Sequence, residues 1–97
     1  MPFIYILRCG DGSLYTGIAK DLDRRLDQHR AGQASRYTRS HLPVTLVWTR
    51  KVRSWSLALR EERRIKSMRK VEKEAMLLVR DRAKETRETL PRQAESR

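Results

Sequence analysis

The sequence predicts an α/β domain: a small, mainly antiparallel three-stranded sheet flanked by helices. Three observations predict it. Phe3, Tyr5 and Leu7 alternate with Ile4 and Ile6, and a glycine-rich reversal then leads into a second β-prone run. A third alternating run, Val44 to Val52, follows Pro43. Between and after the strands, apolar residues recur at helical spacing in 22–30, 55–68 and 70–82.

In chain order, Cys9-Gly10-Asp11-Gly12-Ser13 is turn chemistry, because glycine tolerates the positive φ of a tight reversal. Leu14 to Ile18 runs back as the second strand, and Gly17 within it marks a bulge or a place where something approaches closely. Asp21 caps a helix over 22–30, in which Leu22 and Leu26 form the buried i, i+4 pair. Arg25 and His29 form a second such pair on a neighbouring strip at the rim of the core, whereas Arg24 falls on the solvated side. Gly32 suits the left-handed position after the helix.

The segment Gln33 to His41 is a polar, basic loop with one aromatic, Tyr37. It reads either as a carrier of phosphate contacts or as a connection that packs Tyr37 on the core. In the third strand Val44, Leu46 and Trp48 alternate with Thr45, Val47 and Thr49. Ser54 caps a helix of about 55–68 with the stripe Trp55, Ala58, Leu59, Ile65 and Met68. Glu62 fills the gap in that stripe, and Glu61 faces outward. The last helix, joined to the one before it by a kink near Met68 to Lys70 or else continuous with it, buries Val71, Ala75, Leu78 and Val79. The folded domain is placed at 1–83, with 84–97 a basic, polar tail without a fixed structure of its own.

With 97 residues the chain holds one domain with a modest core. No apolar run is long enough for a membrane helix, and the start lacks the pattern of a secretory signal. The single cysteine, Cys9, forms no internal disulfide, fits a reducing cytoplasm and reads as a packing residue. No Cys/His cluster has zinc spacing and no glycine-rich phosphate loop is present. The charge is the informative quantity: 23 Lys and Arg against 12 Asp and Glu give a net +11. Such an excess calls for an anionic partner, nucleic acid before membrane, because cations seated on phosphates release condensed counterions.

Pattern alone makes Arg25, His29 and Glu62 misfits, since a glutamate on an inward stripe is costly unless a partner or a metal meets it. Tyr5 and Tyr15 join them from neighbouring strands. Phosphodiester hydrolysis needs a metal on a hard oxygen ligand, a cation for the extra charge at phosphorus and a base for water. Glu62 can supply the first and Arg25 the second; a tyrosine or His29 can supply the third.

Ile4-Tyr5, followed by Tyr15-Thr16-Gly17 and then by Arg25 and His29 on the next helix, resembles the GIY-YIG nuclease domain, in particular its small stand-alone members. The resemblance spans about Pro2 to Met76. It implies that Tyr5 and Tyr15 are the two motif tyrosines and Gly17 the closing glycine. It further implies that Arg25 stabilises the pentacoordinate transition state and that Glu62 is the ligand of one Mg2+ or Mn2+. His29 then completes a catalytic set of Tyr5, Tyr15, Arg25, His29 and Glu62. The chain departs from the family pattern in three ways. Phe3 stands without the leading glycine, Ile18 occupies a place where some members carry lysine, and the chain has no asparagine.

The expected activity is divalent-metal-dependent hydrolysis of DNA, in repair or in processing structured DNA. Gly17, Arg36, Tyr37, Arg39 and Lys66 are the expected nucleic-acid contacts. The alternative is a module that binds DNA or RNA with little or no cleavage.

Overall fold

A computed structural model of the chain describes residues 1–88. Strand β1 (Phe3–Arg8) turns through the hairpin into β2 (Leu14–Ala19), and β3 (Thr45–Lys51) returns later in the chain. Both neighbours pair antiparallel with β1, giving the sheet order β2-β1-β3. The helices are α1 (Leu22–Arg30), α2 (Arg36–Arg39), α3 (Trp55–Lys66) and α4 (Lys70–Glu88). The architecture is the α/β sheet with flanking helices that the sequence predicts.

Alternation along β1 divides the core. Ile4 and Ile6 pack with Trp48, Ala58, Ile65 and Leu77, and thus with α3 and α4. Tyr5 and Leu7 turn the other way, with Cys9, Ala19, Leu26 and Val44, and thus with α1. The strict alternation expected of the third strand is broken. Ile6 pairs with Trp48 but Leu7 pairs with Leu46, so Val47 is an extra residue in a β-bulge. Trp48 and Val47 therefore lie on the Ile4/Ile6 side, whereas Val44 and Leu46 lie on the Tyr5/Leu7 side.

Local chemistry sets the helix ends. The Asp21 carboxylate accepts from the Arg24 amide at 3.1 Å, and the Ser54 hydroxyl from the Leu57 amide at 3.2 Å. Gly32 follows the last turn of α1 with φ +75°, a conformation in which a side chain would be strained. The segment read as a loop contains α2, which Ser35 caps by accepting from the Thr38 amide.

Two helix faces differ from the sequence expectation. In α3, Ala58 and Ile65 are fully buried, but Trp55 and Leu59 are exposed. Glu61, expected outward, is half-buried and lies 3.5 Å from Arg50 of β3 and 2.8 Å from Arg64. In α4 the expected stripe is on the wrong side: Val71, Ala75, Leu78 and Val79 are exposed and Leu77 is buried. A tertiary anchor selects that face. Arg8 of β1 holds Glu74 through two hydrogen bonds of 2.7 and 2.8 Å, which turns Leu77 toward the core. Helix α4 continues past residue 83; from Thr89 on, the expected tail lies outside the described residues.

Candidate functional site

Strand β2 is an edge strand, so helices from both faces of the sheet can meet over it. Tyr5 stands opposite Gly17 in the β1–β2 register. A Cβ on Gly17 would fall 2.5 Å from the Tyr5 hydroxyl oxygen and 2.6 Å from Cζ. The phenol therefore lies across the bare backbone of β2, and any side chain at position 17 would push it away. Gly17, expected as a nucleic-acid contact, makes room for Tyr5.

The Tyr5 hydroxyl reaches Nε2 of His29 at 2.8 Å, and Nδ1 of His29 lies 2.9 Å from the Thr38 hydroxyl. Thr38 in turn donates to the carbonyl of Ser35. Because that bond uses the threonine proton, the network assigns the His29 proton to Nδ1, donating to Thr38. Nε2 is left as an acceptor, and Tyr5 donates to it. His29 is 1% exposed and Thr38 0%, so the imidazole and its threonine partner are shielded from bulk water.

Burial holds the His29 imidazole below its ordinary range, and the positive Arg25 adds to the effect. His29 is thus neutral and basic at Nε2. Burial pushes the Tyr5 phenol far up. Tyr15 and Glu62 raise it further and Arg25 lowers it, so all three lie within electrostatic reach of its oxygen. Tyr15 completes the cluster, its ring edge-on to His29 at 5.3 Å. Tyr5, Tyr15 and His29 are thus in direct contact, and Arg25 and Glu62 act on the phenol through their charge.

Glu62 has a side chain 19% exposed, paired with Lys66 at 3.2 Å. Lys66, expected to touch nucleic acid, is the partner of this carboxylate, with a side chain 55% exposed. No group of three or more His, Cys, Asp or Glu converges among the described residues. The donor set at Glu62 is one carboxylate with hard oxygen atoms. It fits a cation such as Mg2+ that keeps most of its shell as water and phosphate oxygens.

Of the basic loop, Arg36 and Arg39 are exposed on α2. Tyr37 is exposed rather than packed in the core. Its ring stacks on Tyr15 at 6.1 Å and on His41 at 4.3 Å, making an aromatic ladder from the site to the surface. Sequence reasoning missed two participants. Thr38 sets the His29 tautomer, but nothing in a polar loop distinguishes it before α2 is seen. His41, the last residue of the segment read as a loop, is fixed between the Tyr37 carbonyl and Asp11.

A sheet edge crossed by a buried phenol–imidazole pair, beside an arginine and a lone glutamate, defines a small α/β domain of nuclease type. The family model of the GIY-YIG catalytic domain matches residues 1–75, and the chain belongs to the GIY-YIG family. Among its relatives, a UPF0213 protein of Halobacterium salinarum is 43% identical over 76 residues, covering 78% of this chain and 99% of the relative. A UPF0213 protein of Natronomonas pharaonis is 40% identical, covering 77% and 88%. The solution NMR structure of a UPF0213 protein from Bacillus halodurans has 39% identity and a TM-score of 0.55, covering 81% of this chain and 85% of that one.

Proposed function

We propose that the protein hydrolyses phosphodiester bonds in structured DNA, using a divalent cation, Mg2+ or Mn2+, held by Glu62. The observation that carries this reading is the Tyr5–His29 hydrogen bond, with its acceptor nitrogen facing the phenol. Tyr5 is too weak an acid to ionise alone, but a proton can pass through it. As the attacking water gives a proton to the Tyr5 oxygen, Tyr5 passes its own to Nε2 of His29. The water oxygen bonds to phosphorus, the bond from phosphorus to the leaving oxygen breaks, and that oxygen takes a proton from solvent. Arg25, permanently charged, offsets the negative charge that grows on the phosphoryl oxygens. Tyr15, half-buried beside His29, would donate to a phosphate oxygen. The cation would supply Lewis-acid polarisation of the phosphoryl group. Exposed Arg36 and Arg39 and the net charge of +11 draw the polyanion to this face.

One observation favours a second reading, a nucleic-acid-binding module without cleavage: Glu62 is already paired with Lys66. Cleavage of duplex, flap, fork and RNA substrates with and without manganese separates the two. Under the hydrolytic reading Glu62→Ala abolishes cleavage and keeps salt-dependent binding, and Arg25→Ala lowers turnover more than affinity. No metal-dependent cleavage of any substrate would leave the binding module.

A further inference from the structure

A cleft of about 290 Å³ opens where the first turns of α1 and α3 face each other. Lys20, Arg24, Arg25 and Gln28 line it, with Trp55 opposite. Trp55 is 41% exposed, whereas the chain's other tryptophan, Trp48, is 8% exposed within the core. Core packing accounts for Trp48 and leaves the indole of Trp55 unexplained. The ammonium of Lys20 sits 5.6 Å from its ring centroid. The one acid in the cleft, Asp21, spends its carboxylate on the helix cap.

Three cations beside an open aromatic face recognise a ligand that is anionic at one end and flat at the other. A nucleotide has that chemistry. The volume lies at the small end of ligand clefts, room for one nucleotide and too little for a base-paired stack. Arg25 belongs both to this cleft and to the cluster around Tyr5. We propose that the cleft seats one unpaired nucleotide next to the scissile phosphate, its base stacked on Trp55 and its phosphate on Lys20 and Arg24. Lys20, resting over the indole in the free protein, swings to the phosphate as the base enters. This rests on the hydrolytic reading and narrows its substrate to strands with an unpaired nucleotide at the cleavage point, such as a flap or a bulge.

The test uses the full chain carrying Glu62→Ala, in EDTA, with a labelled single-stranded oligodeoxynucleotide and the matching blunt duplex. Single strand quenches tryptophan emission, and inorganic polyphosphate of equal charge does not. Trp55→Leu weakens single-strand binding about tenfold, as expected for one lost stack, while blunt-duplex binding changes less than about twofold. Trp55→Phe, which keeps an aromatic face, restores single-strand binding to within about threefold. Equal weakening of both ligands, no weakening of either, or quenching by polyphosphate alone would overturn the proposal. Cleavage assays with manganese on the chain with Glu62 intact keep the two ideas apart. A Trp55-dependent preference for single strands without cleavage retains the cleft and rejects hydrolysis. Cleavage that ignores Trp55 retains hydrolysis and rejects the cleft.

Discussion

The hydroxyl of Tyr5, on the central strand, donates to Nε2 of His29, on the first helix, across 2.8 Å, and the imidazole is buried. The two rings meet nearly edge to face, 5.6 Å between centroids, so packing as well as the hydrogen bond holds the alignment. On the proposed reading a neutral imidazole behind a phenol relays a proton, and the pair then has consequences for both rate and stability.

For the rate, His29 must be neutral to accept. Burial and Arg25 hold it below its ordinary value of 6.5, so the acid limb of the cleavage profile is expected below that pH. His29→Gln should lower turnover about a hundredfold or more. A wild-type limb above pH 6.5 would contradict the relay. The same group links folding to pH. The folded state binds fewer protons at His29 than the unfolded chain, so stability is full above about 6.5 and falls as pH drops toward the lowered folded value. Melting temperatures of wild type and His29→Gln between pH 7.5 and 5 check this, the variant showing the flatter profile.

Gly17→Ala places a methyl against the Tyr5 ring, which cannot yield without leaving His29. The expected cost is about 1–3 kcal/mol of stability, with loss of cleavage. Denaturant unfolding and the pH profile read the two effects, and an unperturbed variant would mean that the phenol does not lie across β2.

Lys66 pairs with Glu62, so on the proposed reading a divalent cation would compete with it for that carboxylate. Lys66→Gln should raise manganese affinity about twofold, the scale of an i, i+4 ion pair on a helix. Titration calorimetry measures it without reference to activity. Unchanged or weaker manganese binding would show that the ammonium does not compete.

The legible parts were those encoded over short distances. The hairpin, the Asp21 and Ser54 caps and the alternation of β1 follow from neighbours in the chain. The misfit residues Arg25, His29 and Glu62 were visible because each broke a pattern; His29 bonds Tyr5, and Arg25 and Glu62 bear on it through their charge. The illegible parts needed a partner distant in sequence. The face of α4 is set by Arg8 and Glu74, which no periodicity within the helix contains. The bulge at Val47 shows only in the β1–β3 register. Glu61 looked external because Arg50 is on another element.

From the sequence alone come the α/β class, the cationic character and the candidate site residues, since propensity, charge and motif spacing are local properties of a chain. Tertiary structure decided which nitrogen of His29 is free, what occupies Glu62 and that Trp55 opens on a basic cleft. Those depend on Thr38, Lys66 and Lys20 arriving at particular distances, and the folded packing sets these distances.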